Sequence, residues 1–368
     1  MGKLVVVAHV GQERLEQQRR TPEPGCDVWI GVDVARSKWV YKVRWDGQEQ
    51  RKLSTPGELV HLQALVEEYR ACKVHVVYEA CGFGYEIAWW CQEKGIDVLV
   101  VAPSTVEHAP GSRVKTDRLD AGKLARDREQ GRLKGVRIPT RTQHAQRQLS
   151  RTYAQALKDK QRTQARVRSL MQEQGRIGPP PQAGWNAYLR WCKRQQQQLP
   201  ATVSQCLEEL FHLREAALAT VKRLRAALHK LSAESQYASV VKGLKAQAGV
   251  GTFTALRLVL ELGDIRRFPT AGSFPRYLGL TPSEYSTGAS ERRGHVMKCG
   301  PRFIRAWLIQ CAWASIRPGR DPRLRAVFER LSPKLGKKRA IVAVARRLAL
   351  RLRARWLEAL ASDELAPA

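Results

Sequence analysis

The stretch Val28-Trp29-Ile30-Gly31-Val32-Asp33-Val34-Ala35 is followed closely by Lys38-Trp39-Val40-Tyr41-Lys42-Val43-Arg44-Trp45 and then by Asp46-Gly47. The first run is apolar enough for a buried strand. The second sets Trp39, Tyr41, Val43 and Trp45 against Val40, Lys42 and Arg44, the period of two expected of a half-buried strand. Asp-Gly suits a two-residue hairpin turn, whose central residues need positive φ, so a third strand is predicted near Gln48–Ser54. Pro56 is then predicted to open a helix carrying Leu59, Leu62, Leu65 and Val66. Val74–Ala80 reads as a fourth strand, Tyr85–Lys94 as a helix and Asp97–Pro103 as a fifth strand. Hairpin-linked strands followed by strand–helix alternation imply a mixed sheet with flanking helices.

This order matches the ribonuclease H-like arrangement. Outward from it, residues 1–27 read as an extension that ends in the breaker-rich Thr21-Pro22-Glu23-Pro24-Gly25. The sheet domain is expected over 28–140, a helical coiled-coil region over 141–235 and a mostly helical third domain over 236–368. In the second region Val203, Leu210, Ala217, Leu224 and Leu231 recur every seven residues, as do Leu207, Arg214, Val221 and Leu228. This is the seam of a coiled coil, within the chain or between two copies. In the third, Gly249-Val250-Gly251 lies between two helical patterns and resembles a helix–hairpin–helix, whose exposed amides accept a phosphate without reading a base. The last helix, near Lys337–Ala361, places Ile341, Val344, Leu348, Leu352 and Trp356 on one stripe.

The 368 residues carry 64 Lys and Arg against 34 Asp and Glu, a formal charge of +30, and 43% are hydrophobic. Such a chain has a core, which excludes a disordered polyelectrolyte. Residues 111–170 hold 17 basic and 5 acidic residues, and 291–355 hold 19 and 3. Two basic blocks on a folding chain point to nucleic acid. No apolar run is long enough for a membrane span, and no export signal is evident, so a cytoplasmic location is expected. The eight cysteines contain no C-x-x-C pair and read as reduced thiols, with a zinc site disfavoured.

Against so basic a background the acids stand out. Asp33 lies between Val32 and Val34, where an unpartnered charge is costly. Glu79 closes the fourth strand before Cys81-Gly82-Phe83-Gly84-Tyr85. Asp117 and Asp120 are spaced to share a helix face. Taken singly, Glu79 reads as a surface residue, and Asp117 and Asp120 as helix N-terminal charges. Four clustered carboxylates need cations between them, and an all-oxygen set selects Mg²⁺, with Mn²⁺ as substitute. Paired ions of this kind serve phosphoryl transfer.

Gly31-Val32-Asp33-Val34, Glu79 with Gly84-Tyr85, and Lys115-Thr116-Asp117-Arg118-Leu119-Asp120-Ala121 resemble the DEDD insertion-sequence transposases, relatives of the Piv DNA invertase. Gly249-Val250-Gly251, Glu261-Leu262-Gly263-Asp264, Gly279-Leu280-Thr281-Pro282, Tyr285-Ser286-Thr287-Gly288 and Lys298-Cys299-Gly300 with Arg302 and Arg305 follow in family order. The resemblance spans roughly 28–360. It implies a RuvC-like nuclease domain, a coiled-coil arm and a C-terminal transposase domain. It places metal on Asp33, Glu79, Asp117 and Asp120, and a covalent nucleophile on Ser286, with Thr287 as the rival hydroxyl. The Ser286 segment is expected to be a loop. Lys115, Arg118, Gly249, Gly251, Arg292, Arg293, Lys298, Arg302 and Arg305 are the expected nucleic-acid contacts.

The partners so implied are donor and target double-stranded DNA, a structured guide (bridge) RNA and a second copy of the chain in a homodimer or larger assembly, near a prokaryotic nucleoid. The alternatives are a RuvC-like metal-dependent junction nuclease that uses water, with the serine segment only binding DNA, and a non-catalytic basic nucleic-acid-binding protein. The complete acid set argues against the last of these, and the Ser286 segment favours the recombinase over the nuclease.

Overall fold

The computed structural model describes residues 21–103, 121–287, 290–297 and 300–364. The chain forms two compact units, divided at Arg141.

In the first unit, β1 (Asp27–Val34), β2 (Lys38–Trp45), β3 (Gln48–Pro56), β4 (Lys73–Glu79) and β5 (Asp97–Val101) form one sheet in the order β3-β2-β1-β4-β5. β1 pairs antiparallel with β2 and parallel with β4, and β5 continues parallel to β4. The β2–β3 turn is Asp46-Gly47 with φ of 51° and 72°, the two positive values that a type I′ turn requires. Pro56 ends β3 and does not open a helix; α1 is Leu59–Glu68, with Glu58 at its N-cap. A proline is tolerated there because β3 is an edge strand.

α1 and α2 (Glu86–Glu93) cover one sheet face. Val28, Ile30, Val32, Tyr41, Val76 and Tyr78 meet Leu62, Leu65, Ile87 and Cys91 there. The other face is covered by α3 (Ala121–Glu129), whose Leu124 packs on Val77 and Val101.

The second unit is mostly helical: α4 (Arg141–Glu173), α5 (Gly184–Gln196), α6 (Ala201–Ser232), α7 (Ser235–Lys245), α8 (Thr252–Leu262), α9 (Ser273–Tyr277), α10 (Arg302–Ser315), α11 (Pro322–Leu335) and α12 (Lys337–Glu364), with a hairpin of β6 (Pro282–Thr287) and β7 (Ser290–Val296). Leu207, Arg214, Val221 and Leu228 are all buried along α6. Leu207 packs with Val167 and Met171 of α4 and with Tyr188 and Cys192 of α5, while Leu228 joins the larger core with α7, α8 and α12. That heptad track is therefore filled by its own chain. Arg214, its one polar member, lies 5.3 Å over the Trp185 ring and pairs with Glu215. In α12, Ile341, Val344, Leu348, Leu352 and Trp356 are all buried, as their spacing predicts.

Candidate active site

β1 and β4 are parallel neighbours in which Val32 faces Tyr78. The next residue on each strand is Asp33 and Glu79. Residues alternate across a sheet, and the α1/α2 face takes Val32 and Tyr78; Asp33 and Glu79 therefore belong to the α3 face. Both are half-buried. Their charges also reach Cys81: burial, then Glu79 and Asp33, pushes its thiol above the ordinary value, while the Phe83 backbone N–H pulls it back. The strand pairing puts both residues at the carboxyl ends of adjacent parallel strands.

α3 lies directly over this face. A Cβ on Gly31 would stand 1.9 Å from the Ala121 carbonyl oxygen and 3.0 Å from the Ala125 nitrogen. Glycine thus lets backbone rest on backbone two residues before Asp33. Further along α3, Gly122 sits against the Lys42–Glu49 ion pair (3.1 Å). The last turn is held by Arg44 to Glu129 (3.0 Å), by the Gly47 N–H donating to Glu129 (3.2 Å) and by Arg128 to Asp97 (2.6 Å). Asp97 also accepts from His75 Nδ1 (2.7 Å), and burial, outweighed by His75 and Arg128, leaves its carboxyl below the ordinary value. Asp120 directly precedes the described part of α3 in sequence. Lys115, Asp117, Arg118 and Asp120 themselves lie outside the described residues.

Asp33 and Glu79 offer oxygen donors only, half-buried at a strand-end rim, which suits a hard divalent cation. Among the described residues no three His, Cys, Asp or Glu side chains are grouped to hold a metal.

The second unit holds the remaining expected residues. Ser286 lies in β6, not in a loop, with Glu291 as its register partner; Thr287 faces Ser290, and Arg292 and Arg293 of β7 face Tyr285 and Glu284. The alternating backbone of a hairpin strand was hidden by a polar sequence, Pro-Ser-Glu-Tyr-Ser-Thr, that lacks a hydrophobic face. Gly288 and Lys298 lie outside the described residues. Arg302 is exposed at the start of α10, whereas Arg305 donates to the Leu278 carbonyl (3.0 Å).

The two turn glycines differ. Gly249 has a φ of 88°, and a Cβ there would meet Ser315 Oγ at 2.4 Å; Gly251, at the N-cap of α8, has open space around it. Gly249 packs the turn onto α10, and Gly251 leaves the start of α8 approachable.

Several residues that build this arrangement carried no sequence signal. Gly31 lay inside a quoted motif, but its role needs α3 in place. Arg44, Glu129, Arg128 and Asp97 come from distant elements, and nothing in their local spacing links them.

Comparison with known proteins finds matches in both units. Residues 30–175 match the family model of DEDD transposases of IS110 type, and 242–329 match that of the IS116/IS110/IS902 transposase family. A Sinorhizobium fredii protein designated transposase y4qE is 29% identical over 301 residues, covering 80% of this chain and 73% of that protein. A Pseudomonas aeruginosa protein named as a family 20 transposase is 28% identical over 245 residues, covering 66% and 71%. The transposase for insertion sequence element IS1111A of Coxiella burnetii is 25% identical over 290 residues, covering 73% and 74%. Among the described residues no helix is long and apolar enough to cross a membrane.

Proposed function

This chain belongs to the IS110 family of DEDD insertion-sequence transposases, and on that premise we propose that it cuts and rejoins DNA using Asp33, Glu79, Asp117 and Asp120 together with Ser286. The observation that carries the reading is that Asp33 and Glu79 directly follow the paired Val32 and Tyr78 on adjacent parallel strands, beneath a helix that rests on Gly31. The domain that bears them is RuvC-like, with strand order β3-β2-β1-β4-β5 in its support. The four carboxylates would hold Mg²⁺ or Mn²⁺, which polarises a phosphate oxygen when bound.

The chain's own groups do the rest. Ser286 Oγ attacks phosphorus; an Oγ–P bond forms, one P–O ester bond breaks and a strand end leaves as a hydroxyl. Attack by another strand's hydroxyl on the seryl phosphodiester reverses the exchange and reseals DNA. The number of phosphodiester bonds is conserved, so no nucleotide cofactor is consumed. Arg292, Arg293, Lys298 and Arg302 steady the phosphate charge, and Gly251 with the start of α8 offers amides to the backbone. Lys115 and Arg118 contact nucleic acid beside the acids. Because each exchange needs two cut strands, the working form is a homodimer or higher assembly. A structured guide RNA chooses donor and target.

The test is to trap protein–DNA adducts on denaturing gels and map the attached residue by mass spectrometry. Adducts that vanish in Ser286→Ala support the serine. Adducts that persist there and vanish in Thr287→Val move the nucleophile by one residue, and cleavage without any adduct replaces it with water. Guide RNA is tested separately: purified protein should retain a discrete transcript of its own locus, and equal affinity for random RNA of the same length would remove that part.

A further inference from the structure

A groove of about 480 Å³ opens in the second unit at the foot of the β6–β7 hairpin, between β7, the end of α11 and the start of α12. Its floor is apolar: Val296 and Val342 are half-buried there, and Leu335 is 44% exposed. Gly294 adds no side chain to the wall, and a Cβ there would meet Ser283 Oγ at 2.3 Å. The rim is formed by Lys338, Arg339 and Arg346 of α12, all exposed. Among the described residues no acidic side chain lines the groove. Among the described residues, none of the three cations has a carboxylate partner.

Three cations held around an apolar floor repel one another and leave hydrophobic surface wet. An anion with an apolar face relieves both. A nucleotide unit of a DNA strand has that chemistry, with phosphate for the rim and a base or sugar face for the floor, and the volume lies within the usual range for a site of that size. The groove is also continuous with the strand that bears the proposed nucleophile. Pro282 lines it, and Ser286 lies four residues further along β6. At the strand rise that is roughly 13 Å, about four base steps of a DNA strand. None of the three cations figures among the nucleic-acid contacts expected from sequence.

We infer that the groove formed by Lys338, Arg339, Arg346, Leu335 and Val342 is a DNA-strand seat, which holds the strand about four nucleotides from the phosphate presented to Ser286. The inference rests on the reading of this hairpin as the strand-exchange site, and its test is one of binding, independent of chemistry. Affinity for a labelled DNA duplex and for its single strand is measured by fluorescence anisotropy between about 50 and 200 mM salt, using full-length protein made silent by Asp33→Asn. The variant Lys338→Gln/Arg339→Gln/Arg346→Gln should have a shallower salt dependence, its affinity falling roughly 40-fold less over that range if three phosphate contacts are removed. The substituted residues are exposed, so the fold should tolerate them, and an unchanged melting temperature checks this. A photo-crosslinking residue at Val342 should label DNA.

An unchanged salt slope overturns the inference. So does crosslinking at Val342 only to another protein copy while DNA is bound. Ser286→Ala should bind with the wild-type slope; loss of adduct without change in slope would leave the seat standing, and normal adduct chemistry with an unchanged triple variant would remove the seat alone.

Discussion

Asp33 and Glu79 lie on neighbouring strands at the end of the sheet where the parallel β1, β4 and β5 finish. Replacement of either by its amide keeps the shape and one acceptor oxygen and removes the charge. Asp33→Asn or Glu79→Gln should slow strand cleavage by ~100-fold or more while nucleic-acid affinity stays near wild type, because the surface cations dominate binding. Single-turnover cleavage of labelled DNA, beside a binding isotherm, decides this; undiminished cleavage in either variant removes the acid assignment.

A third carboxylate has a structural part. Asp321 caps α11 by accepting from the Leu324 N–H (3.0 Å), accepts from the Gln247 amide (2.9 Å) and pairs with Arg351 (2.6 Å). Burial raises its carboxyl, but these donors outweigh burial and hold it below the ordinary value. A folded value below the unfolded one stabilises above the ordinary carboxylate range, and the gain is lost as pH falls through the folded value. Asp321→Asn should therefore cost about 1–2 kcal/mol near neutrality. The gap in melting temperature from wild type should close as pH drops below roughly 4. A gap that stays constant with pH would show that the charge contributes nothing.

At the scale of elements, α3 ties sheet to site. Gly31→Ala puts a methyl group where the Ala121 carbonyl lies, and backbone cannot give way as a side-chain tip can. The helix must lift, which should destabilise the first unit by about 1–3 kcal/mol. It should also raise the Mg²⁺ concentration needed for half-maximal cleavage, a readout that mere loss of stability would not move at a temperature where the variant is folded. In the helical unit, Leu207→Ala opens a cavity among Val167, Met171 and Cys192 and should cost about 2–5 kcal/mol by denaturant titration.

These elements also mark what a sequence can convey. The hairpin was legible because Asp46-Gly47 encodes its own turn and the aromatic alternation encodes its face. Pro56 misled because a proline that starts a helix and one that ends an edge strand look alike until the neighbouring strand is known. The heptad of α6 announced a partner but not its address: spacing is the same whether the groove is filled by another chain or by α4 and α5. Asp33 was legible through its apolar flanks, whereas the anchoring of α3 by Arg44, Arg128 and Asp97 joins residues that no local pattern relates.

Over the whole molecule, a formal charge of +30 should make DNA affinity fall by about 10³-fold or more between 50 and 200 mM salt, as expected for six or more phosphate contacts. Filter binding across that range measures it, and a nearly flat dependence would mean that the basic blocks serve something other than a polyanion. The buried α6 track has a consequence at this scale too. A second copy must dock elsewhere than on Leu207, Val221 and Leu228, so light scattering of Leu213→Glu, altered at an exposed α6 position, separates a role for the outer helix surface from none.

Where Gly31 meets Ala121, main chain bears on main chain, with no rotamer between them to adjust. The height of α3 above the sheet is thus a fixed gauge, closed to gradual tuning by point mutation. Any side chain added there can only jam it. Descendants of this protein that alter the spacing of their acids would have to do so by lengthening or shortening chain, and the record of such change should be sought in insertions and deletions.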